Sequence, residues 1–520
     1  MAEPFYLTTA IHYPNGRPHI GHAYEVIGAD VLARFHRLMG REVRFQTGTD
    51  EHGLKMAQKS RELGVEPREL VDEMSQHFKV LFDRLGISYD RFIRTTDADH
   101  HRASQALWQA MEANGDLYVG RYEGWYSVRD EAYYDASELI GADGQEKLSP
   151  QGTPVEWTVE ESWFFRLSAY QDQLLALFAE NPDFIRPDSR RNEVMRFVEG
   201  GLRDLSVSRT SFDWGVKVPG SPEHVMYVWV DALTNYLTGL GYPDQTADMA
   251  KFWPADLHLI GKDITRFHTV YWPAFLMSAG LPIPKQVFAH GFLLNRGQKE
   301  SKSLGNVTDP GELADLYGVD VLRYFLLREF SFGQDGSYSR EAIVNRANSE
   351  LANSFGNLAQ RTLSQVFKNC DGSPPPINGH AEADAALLAH VGRVTLQEMP
   401  AAYTELAFAQ ALEAWMGAVF ACNAYVDAQA PWALKKTDFA RMETVLATLY
   451  ICIVQLAVAV QPAMPGSAAK LLDAMGIDPA LRTFEAIGSQ WYPLLAESNF
   501  KLEQPQGIFP RLELPETEPA

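Results

Sequence analysis
The first fifty residues constrain the fold more than any other stretch of the chain. A strand-like apolar run, FYLTTAI (residues 5–11), is followed from Ala23 by a helical pattern. Ile27, Val31, Phe35 and Leu38 recur there at steps of four, four and three, and Gly40 ends the pattern as a C-cap. A second strand-like run, VRFQTG (43–48), comes directly after. Strand, helix and strand in this order form a βαβ unit, hence a parallel sheet with a right-handed crossover. Ligands of such sheets bind beyond the carboxyl ends of the strands, and PNGRPHIGH (14–22) and GTDEHG (48–53) both fall at that edge.

A chain of 520 residues is too long for one ordinary core, so two to four domains are expected. A second α/β pattern appears late: LHLIG (257–261), an amphipathic stretch over 265–279, and QVFAHGFLL (286–294). Between the two lies an aromatic-rich, Gly-rich segment of short strand-like pieces. The simplest organisation is one nucleotide-binding sheet split into 1–117 and 213–295 by an inserted domain, 118–212, with a connecting segment over 296–345. From 346 to 520 the strand signals stop and helical patterns run to about 475, broken by DGSPPPINGHAEAD (371–384), so an all-α domain is expected there.

The formal net charge of −21 argues against a broadly basic, DNA-coating protein, but a local basic patch on an acidic body remains compatible with an RNA partner. The apolar run Val445 to Val460 falls short of the ~20 residues of a bilayer span and reads as a buried helix. The N-terminus goes straight into a strand pattern without a signal sequence. Cys370, Cys422 and Cys452 show no CxxC spacing. A cytoplasmic protein with inert thiols and no membrane association is the expectation.

Within HIGH, His19 and His22 stand three apart at a strand-to-helix junction. Such a pair suits three roles. It can cap the helix, contact phosphate beside the free N–H groups of a helix start, or ligate a metal with a third partner from Asp50 or His52. Gly21 between them would let a flat ring approach the backbone. Spacing alone does not choose. A second element, GQKESKSLGN (297–306), sets Lys299 and Lys302 around Ser301 and Ser303. A mobile loop of this kind can close ammonium groups over a triphosphate and stabilise charge as pyrophosphate leaves.

HIGH early in a split α/β sheet, paired with K-x-S-K-S after its second half, resembles the signature of the class I aminoacyl-tRNA synthetases. Further segments are similar to the methionyl enzymes within that class: TTAIHYPNGRPHIGHAYE, TGTDEHG, YVWVDALTNY (227–236), LIGKDITRFH (259–268), YVDAQAPW (425–432) and FPRLE (509–513). The resemblance implies a Rossmann-type catalytic domain with a connective insertion, a stem-contact region and an α-helical anticodon-binding bundle. It implies a ligase that activates L-methionine with ATP and Mg²⁺ to methionyl-adenylate, then charges the 3′ end of elongator and initiator methionine tRNA bearing a CAU anticodon.

By the same resemblance, His19, Gly21 and His22 contact ATP, with Gly261, Lys262 and Asp263 beside the adenylate ribose and Lys299, Ser301 and Lys302 in the mobile loop. Asp50 holds the substrate ammonium. Ile11, Tyr13, Trp229, Ala232, Tyr236 and His268 form the methionine pocket, where aromatic rings suit a polarisable thioether. Asn357, Arg361 and Trp432 read the anticodon by hydrogen-bonding base edges and stacking.

The chain departs from that family in its insertion. Many relatives carry a zinc knuckle of two CxxC pairs, whereas Ser127, Asp130, Leu148 and Gln151 stand at those positions here. Leu148 cannot ligate and Ser127 and Gln151 are poor zinc ligands beside thiolate, so no structural zinc is expected and Trp125, Tyr126, Tyr133 and Trp157 are expected to hold the shape. Glu300 stands in the signature loop where an apolar residue is usual. The appended tRNA-binding domain of some relatives is missing, which points to a monomer. A cysteine enzyme would want a catalytic-domain zinc, and leucine, isoleucine or valine enzymes a larger insertion.

Overall fold
The computed structural model describes residues 2–129, 132–134, 136–141, 147–295, 298–299, 308–488 and 491–514. The βαβ unit is present as β1 (Pro4–Thr9), α1 (Ile20–Leu38) and β2 (Glu42–Thr49), with β1 and β2 parallel and Leu7 opposite Phe45. These strands belong to a six-stranded sheet. Its order is β3 (Arg91–Arg94), β2, β1, Leu257–Gly261, Val287–His290 and Ile185–Arg186. The pairings along it are all parallel. Strand β1 is flanked by β2 on one side and by Leu257–Gly261 on the other, so the order reverses there and opens a crevice at the carboxyl ends.

Helix α1 begins at Ile20, three residues before the apolar periodicity becomes visible, because its first turn is secured by capping rather than by packing. Gly40, at φ +79°, terminates it in the left-handed region. Residues 118–212 pair Leu117–Ser127 with Glu156–Phe165 as a long antiparallel ribbon, flanked by Ala132–Tyr134 and Leu205–Ser206. The same segment holds two helices, Gln171–Glu180 and Asp188–Glu199, that short strand-like pieces did not announce. Each carries a core-facing pair at i and i+4, Leu174 with Phe178 and Val194 with Val198, too brief a pattern to stand out. Between them Ile185–Arg186 joins the edge of the central sheet, so the intervening segment is stitched into the catalytic unit.

Helices dominate from Pro310 to Ala474. The apolar run seen in the sequence is the centre of helix Phe439–Val460. This helix is long and apolar enough to cross a membrane, yet its window is 89% buried inside the protein. Cys422 and Cys452 are buried and Cys370 half-buried, all as free thiols.

A buried ion pair joins the halves. Arg323, on helix Val319–Glu329, and Asp30, in the middle of α1, are both fully buried and lie 2.7 Å apart. Arg323 also donates to the carbonyls of Ala463 (2.9 Å), Pro462 (2.9 Å) and Leu85 (3.3 Å). Asp30 accepts from Arg34 (2.7 Å) and from the Ser88 backbone (2.7 Å) and hydroxyl (2.5 Å). Burial alone would raise the Asp30 carboxyl, but Arg323 and Arg34 more than offset it and hold it below its ordinary value. Removing one partner of such a pair leaves the other charge buried and uncompensated. Arg323→Met is therefore expected to destabilise the fold by about 3–5 kcal/mol, read as a lowered unfolding midpoint, and Asp30→Asn combined with it should recover part of the loss. A single variant that unfolds with the wild type would show that the pair holds nothing together.

Candidate active site
The helix start decides the geometry of HIGH. His19 is the N-cap, in extended conformation, and its Nδ1 accepts from the Gly21 N–H at 3.1 Å. His22 Nδ1 accepts in return from the His19 N–H at 3.0 Å. The histidines thus form a reciprocal capping box, with imidazole nitrogens in place of the usual hydroxyl and carboxylate. An Nδ1 that accepts from a backbone N–H must be unprotonated, so in each ring the proton sits on Nε2. Gly21 is required by this fold-back, since a Cβ there would stand 3.0 Å from the His19 ring.

The crevice beyond the strand ends is a cavity of about 350 Å³, lined by Ile11, Tyr13, His22, Asp50, Trp229, Gly261 and Asp263 among others. Ile11 and Tyr13 follow β1, Asp50 follows β2, and Gly261 and Asp263 close the strand Leu257–Gly261. A Cβ at Gly261 would stand 2.9 Å from Asp263 Oδ1 and would displace that carboxylate. Lys262 turns the other way, paired with Asp335 at 2.7 Å and lying over the Phe292 ring, and lines an adjoining cavity of about 410 Å³. The two cavities share Gln151, Asp263 and Phe267.

Trp229 stacks flat on Phe267, with ring centroids 3.8 Å apart and planes at 5°. Ala232, Tyr236 and His268 are buried one layer behind this wall and are not part of the cavity lining. His268 occupies a π-helical turn, Phe267–Tyr271. Its Nδ1 donates to the Ile264 carbonyl at 3.0 Å, so Nε2 accepts from the Tyr236 hydroxyl at 2.7 Å. Burial drives the His268 pKa down to about 4 and holds the Tyr236 phenol well above its ordinary value. Both groups are neutral at pH 7, and the wall carries no charge.

Two residues of the site were passed over in the sequence. His12 lines the cavity between Ile11 and Tyr13; burial, then His19 and His290, push its pKa down to about 3. Its backbone ties β1 to β2, donating to Gly48 (2.8 Å) and accepting from Asp50 (2.9 Å). Glu25, one turn into α1, lines the cavity with its Oε1 unpartnered among the described residues while Oε2 meets His290 Nε2 at 2.8 Å. Burial, the largest effect, raises the Glu25 carboxyl, opposed by its bond to His290. Glu25 shares the cavity face with His22, three positions before it, and that helical spacing was the signal available.

Lys299 lies in the short strand Gln298–Lys299 that pairs with Leu293–Asn295. Glu300, Ser301, Lys302 and Ser303 fall outside the described residues, as does Asp130 in the insertion. At the other former knuckle positions, Leu148 is half-buried in two β-bridges and Gln151 is exposed on the turn after Ser149. Ser127 belongs to a buried hydroxyl cluster, with Thr153 Oγ1 lying 2.8 Å from Ser127 Oγ and 2.7 Å from Ser149 Oγ. Trp125 and Trp157 meet edge to face beside it. Among the described residues no group of three His, Cys, Asp or Glu side chains is placed to hold a metal, and hydroxyls and an aliphatic side chain do not suit zinc.

Far from the crevice, Arg361 lies 5.5 Å from the centre of the Trp432 ring and 3.0 Å from Asp427, beside a cavity of about 240 Å³. Trp432 is 46% exposed, because Ala430 at φ +43° breaks the preceding helix and turns the next one outward. Asn357, first residue of helix Asn357–Asn369, is exposed on the same helix as Arg361.

Comparison with known proteins agrees with this architecture. A family model described as tRNA synthetases class I (M) matches residues 5–147 and 145–363, and one described as the anticodon binding domain of methionyl tRNA ligase matches 375–513. The chain is 56% identical to the methionine–tRNA ligase of Brucella suis over 514 residues, covering 98% of each chain. It is 55% identical to that of Mycobacterium bovis over 522 residues, covering 99% of each. Its structure superposes on Mycobacterium tuberculosis methionyl-tRNA synthetase in complex with methionyl-adenylate with a TM-score of 0.94, at 55% identity and with 98% and 100% of the two chains covered. On the strength of a split sheet, a capped HIGH helix and matches over nearly its whole length, the chain belongs to the methionyl-tRNA synthetase family of class I aminoacyl-tRNA synthetases.

Proposed function
We propose that the cavity at the sheet switch is where this synthetase makes methionyl-adenylate, with residue roles set by charge. The observation that carries this is one cavity combining a carboxylate, Asp50, an uncharged aromatic wall, Trp229 on Phe267, and the capped start of α1. Asp50 holds the substrate ammonium. Trp229 and Ile11 pack the thioether, and Tyr13 closes the near side. Ala232, Tyr236 and His268 act from behind by keeping that wall rigid and neutral. A neutral wall favours a methyl thioether over charged side chains of similar length.

The methionine carboxylate attacks the α-phosphorus of ATP, the Pα–O bond to the β-phosphate breaks, and pyrophosphate leaves. His19 and His22 donate to phosphate oxygens beside the positive end of α1. Asp263, Gly261 and Glu25 surround the place for the ribose, where carboxylate oxygens accept from hydroxyls. The described lining carries three carboxylates, Glu25, Asp50 and Asp263, against two cations, Lys55 and Arg129. A triphosphate therefore needs further positive charge, which Lys299 and Lys302, with Ser301, supply from the signature loop, and Mg²⁺ arrives with the nucleotide as part of the substrate. A hydroxyl of the terminal tRNA ribose then attacks the adenylate carbonyl carbon and AMP leaves. The adjoining cavity, flanked by Arg190 and Arg266, supports a path for that RNA end. Lys262 serves there rather than beside the adenylate ribose.

Trp432 and Arg361 read the CAU anticodon by stacking and edge contacts, with Asn357 beside them. The hydroxyl cluster of Ser127, Ser149 and Thr153 takes the structural place of the family's zinc. The protein works as a monomer in the cytoplasm, and its most apolar helix is spent on the protein core rather than on a membrane.

Three outcomes test these assignments. His19→Asn keeps a capping side chain and is expected to leave thermal stability within about 0.5 kcal/mol while lowering kcat of ATP–pyrophosphate exchange about 10–100-fold. A variant that unfolds early but turns over normally would make His19 a cap only. Trp432→Ala should weaken tRNA binding by about 1–3 kcal/mol in charging assays, with methionine-dependent pyrophosphate exchange untouched. Metal analysis of purified protein should find well under one zinc per chain, and a stoichiometric zinc would overturn the hydroxyl-cluster reading.

A further inference from the structure
Two elements on opposite sides of the amino-acid subsite meet at one buried carboxylate. The loop after β2 carries Asp50, Glu51 and His52, and helix Val228–Thr238 carries Trp229, Ala232 and Tyr236. Asp231 sits on that helix between Trp229 and Ala232, fully buried, with both oxygens engaged. His52 Nδ1 lies 2.6 Å from Oδ2, and His100 Nε2, from helix Ala98–Ala113, lies 2.7 Å from Oδ1. His100 Nδ1 lies 3.0 Å from Thr238 Oγ1 at the far end of the same helix. A carboxylate only accepts, so both imidazoles donate to it. Burial by itself would raise the Asp231 carboxyl, but His52 and His100 outweigh burial and hold it well below the usual carboxylate range.

The loop is fixed at its other atoms as well. Tyr13 donates to the His52 carbonyl at 3.0 Å and Trp214 to the Glu51 carbonyl at 2.7 Å. Arg94 grips the Glu51 carboxylate with two bonds, 2.7 and 3.0 Å. A buried charge is costly unless it is paired and hydrogen-bonded, and the two imidazoles meet that need by tying the loop and a second helix to this one. Here it spans the element that supplies the carboxylate for the ammonium and the element that supplies the Trp229 ring.

We infer that Asp231 is a positioning residue for amino-acid recognition: through His52 it sets the separation between the Asp50 carboxylate and the Trp229 wall, and so the length of substrate the subsite accepts. The inference rests on the reading of Asp50 and Trp229 given under Proposed function. It predicts that loosening this link affects methionine far more than ATP, because the ATP contacts belong to α1 and to Gly261–Asp263.

The test is methionine-dependent ATP–pyrophosphate exchange by the full-length Asp231→Asn, His52→Ala, His52→Asn and Asp50→Ala variants. Asp231→Asn and His52→Ala are expected to raise KM for methionine at least about tenfold while KM for ATP stays within about twofold. His52→Asn places an amide donor near the position of Nδ1, and its methionine KM is expected to stay within about threefold of wild type. If Asp231→Asn does not fold, the contrast between the two His52 variants carries the test. A methionine KM unmoved in Asp231→Asn and His52→Ala, equal rises in both KM values, or His52→Asn as impaired as His52→Ala overturns the positioning role. Asp50→Ala separates the two levels. If it leaves the methionine KM unchanged, the assignment of the subsite itself fails. If it raises that KM while the Asp231 and His52 variants do not, only the positioning role fails.

Discussion
The buried pair between Asp30 and Arg323 is the contact on which the rest of the molecule depends. Helix α1 runs from the catalytic crevice at His19 to the interface with the helical half, and Asp30 sits near its middle. Arg323 ties that point to the turn at Pro462 and Ala463, directly after the buried helix Phe439–Val460. The helix that presents phosphate donors at one end is thereby anchored to the domain that carries Arg361 and Trp432. Apolar packing around the pair is non-directional and tolerates sliding, whereas a guanidinium with four acceptors fixes one arrangement. The acidic partner costs desolvation, and only complete hydrogen bonding makes it tolerable.

The active site handles its ionisable groups by the same rule. Where a charge would be harmful, burial keeps the group neutral, as at His12, His268 and Tyr236. Where a charge is retained it is partnered, as at Asp231 between two imidazoles. Glu25 and His290 form an intermediate case, a buried acid and base sharing one hydrogen bond, with burial raising the acid and the bond to Glu25 outweighing burial to raise the base. The pocket for the side chain is therefore uncharged although it is rich in titratable residues.

In the insertion, hydroxyls of Ser127, Ser149 and Thr153 converge within hydrogen-bonding distance, and Trp125 and Trp157 meet edge to face. Sequence reading saw the loss of the cysteines and the aromatic packing but not the hydroxyl cluster. Serine and threonine have no characteristic spacing, and only the antiparallel ribbon brings Ser127 within reach of residues some twenty positions later.

What the sequence by itself determined is whatever rests on local periodicity and on paired motifs: the βαβ start, the split sheet, the helical C-terminal half and the membership announced by HIGH with K-x-S-K-S. The capping role of the two histidines was one of three readings their spacing allowed, and the helix boundary shows that they fill it. What only the tertiary structure decided is which side chains face one another across long separations. Lys262 was read as an adenylate contact beside Asp263; in the structure the two open a 3₁₀ turn after the strand, where Lys262 meets Asp335 and Asp263 lines both cavities. Ala232, Tyr236 and His268 lie behind the pocket wall rather than on it. His52, Asp231 and His100 come from a loop and two helices far apart in the chain, and a buried carboxylate draws them together because it must find donors once water is excluded. Periodicity records how each element faces its core; it carries no record of which elements meet.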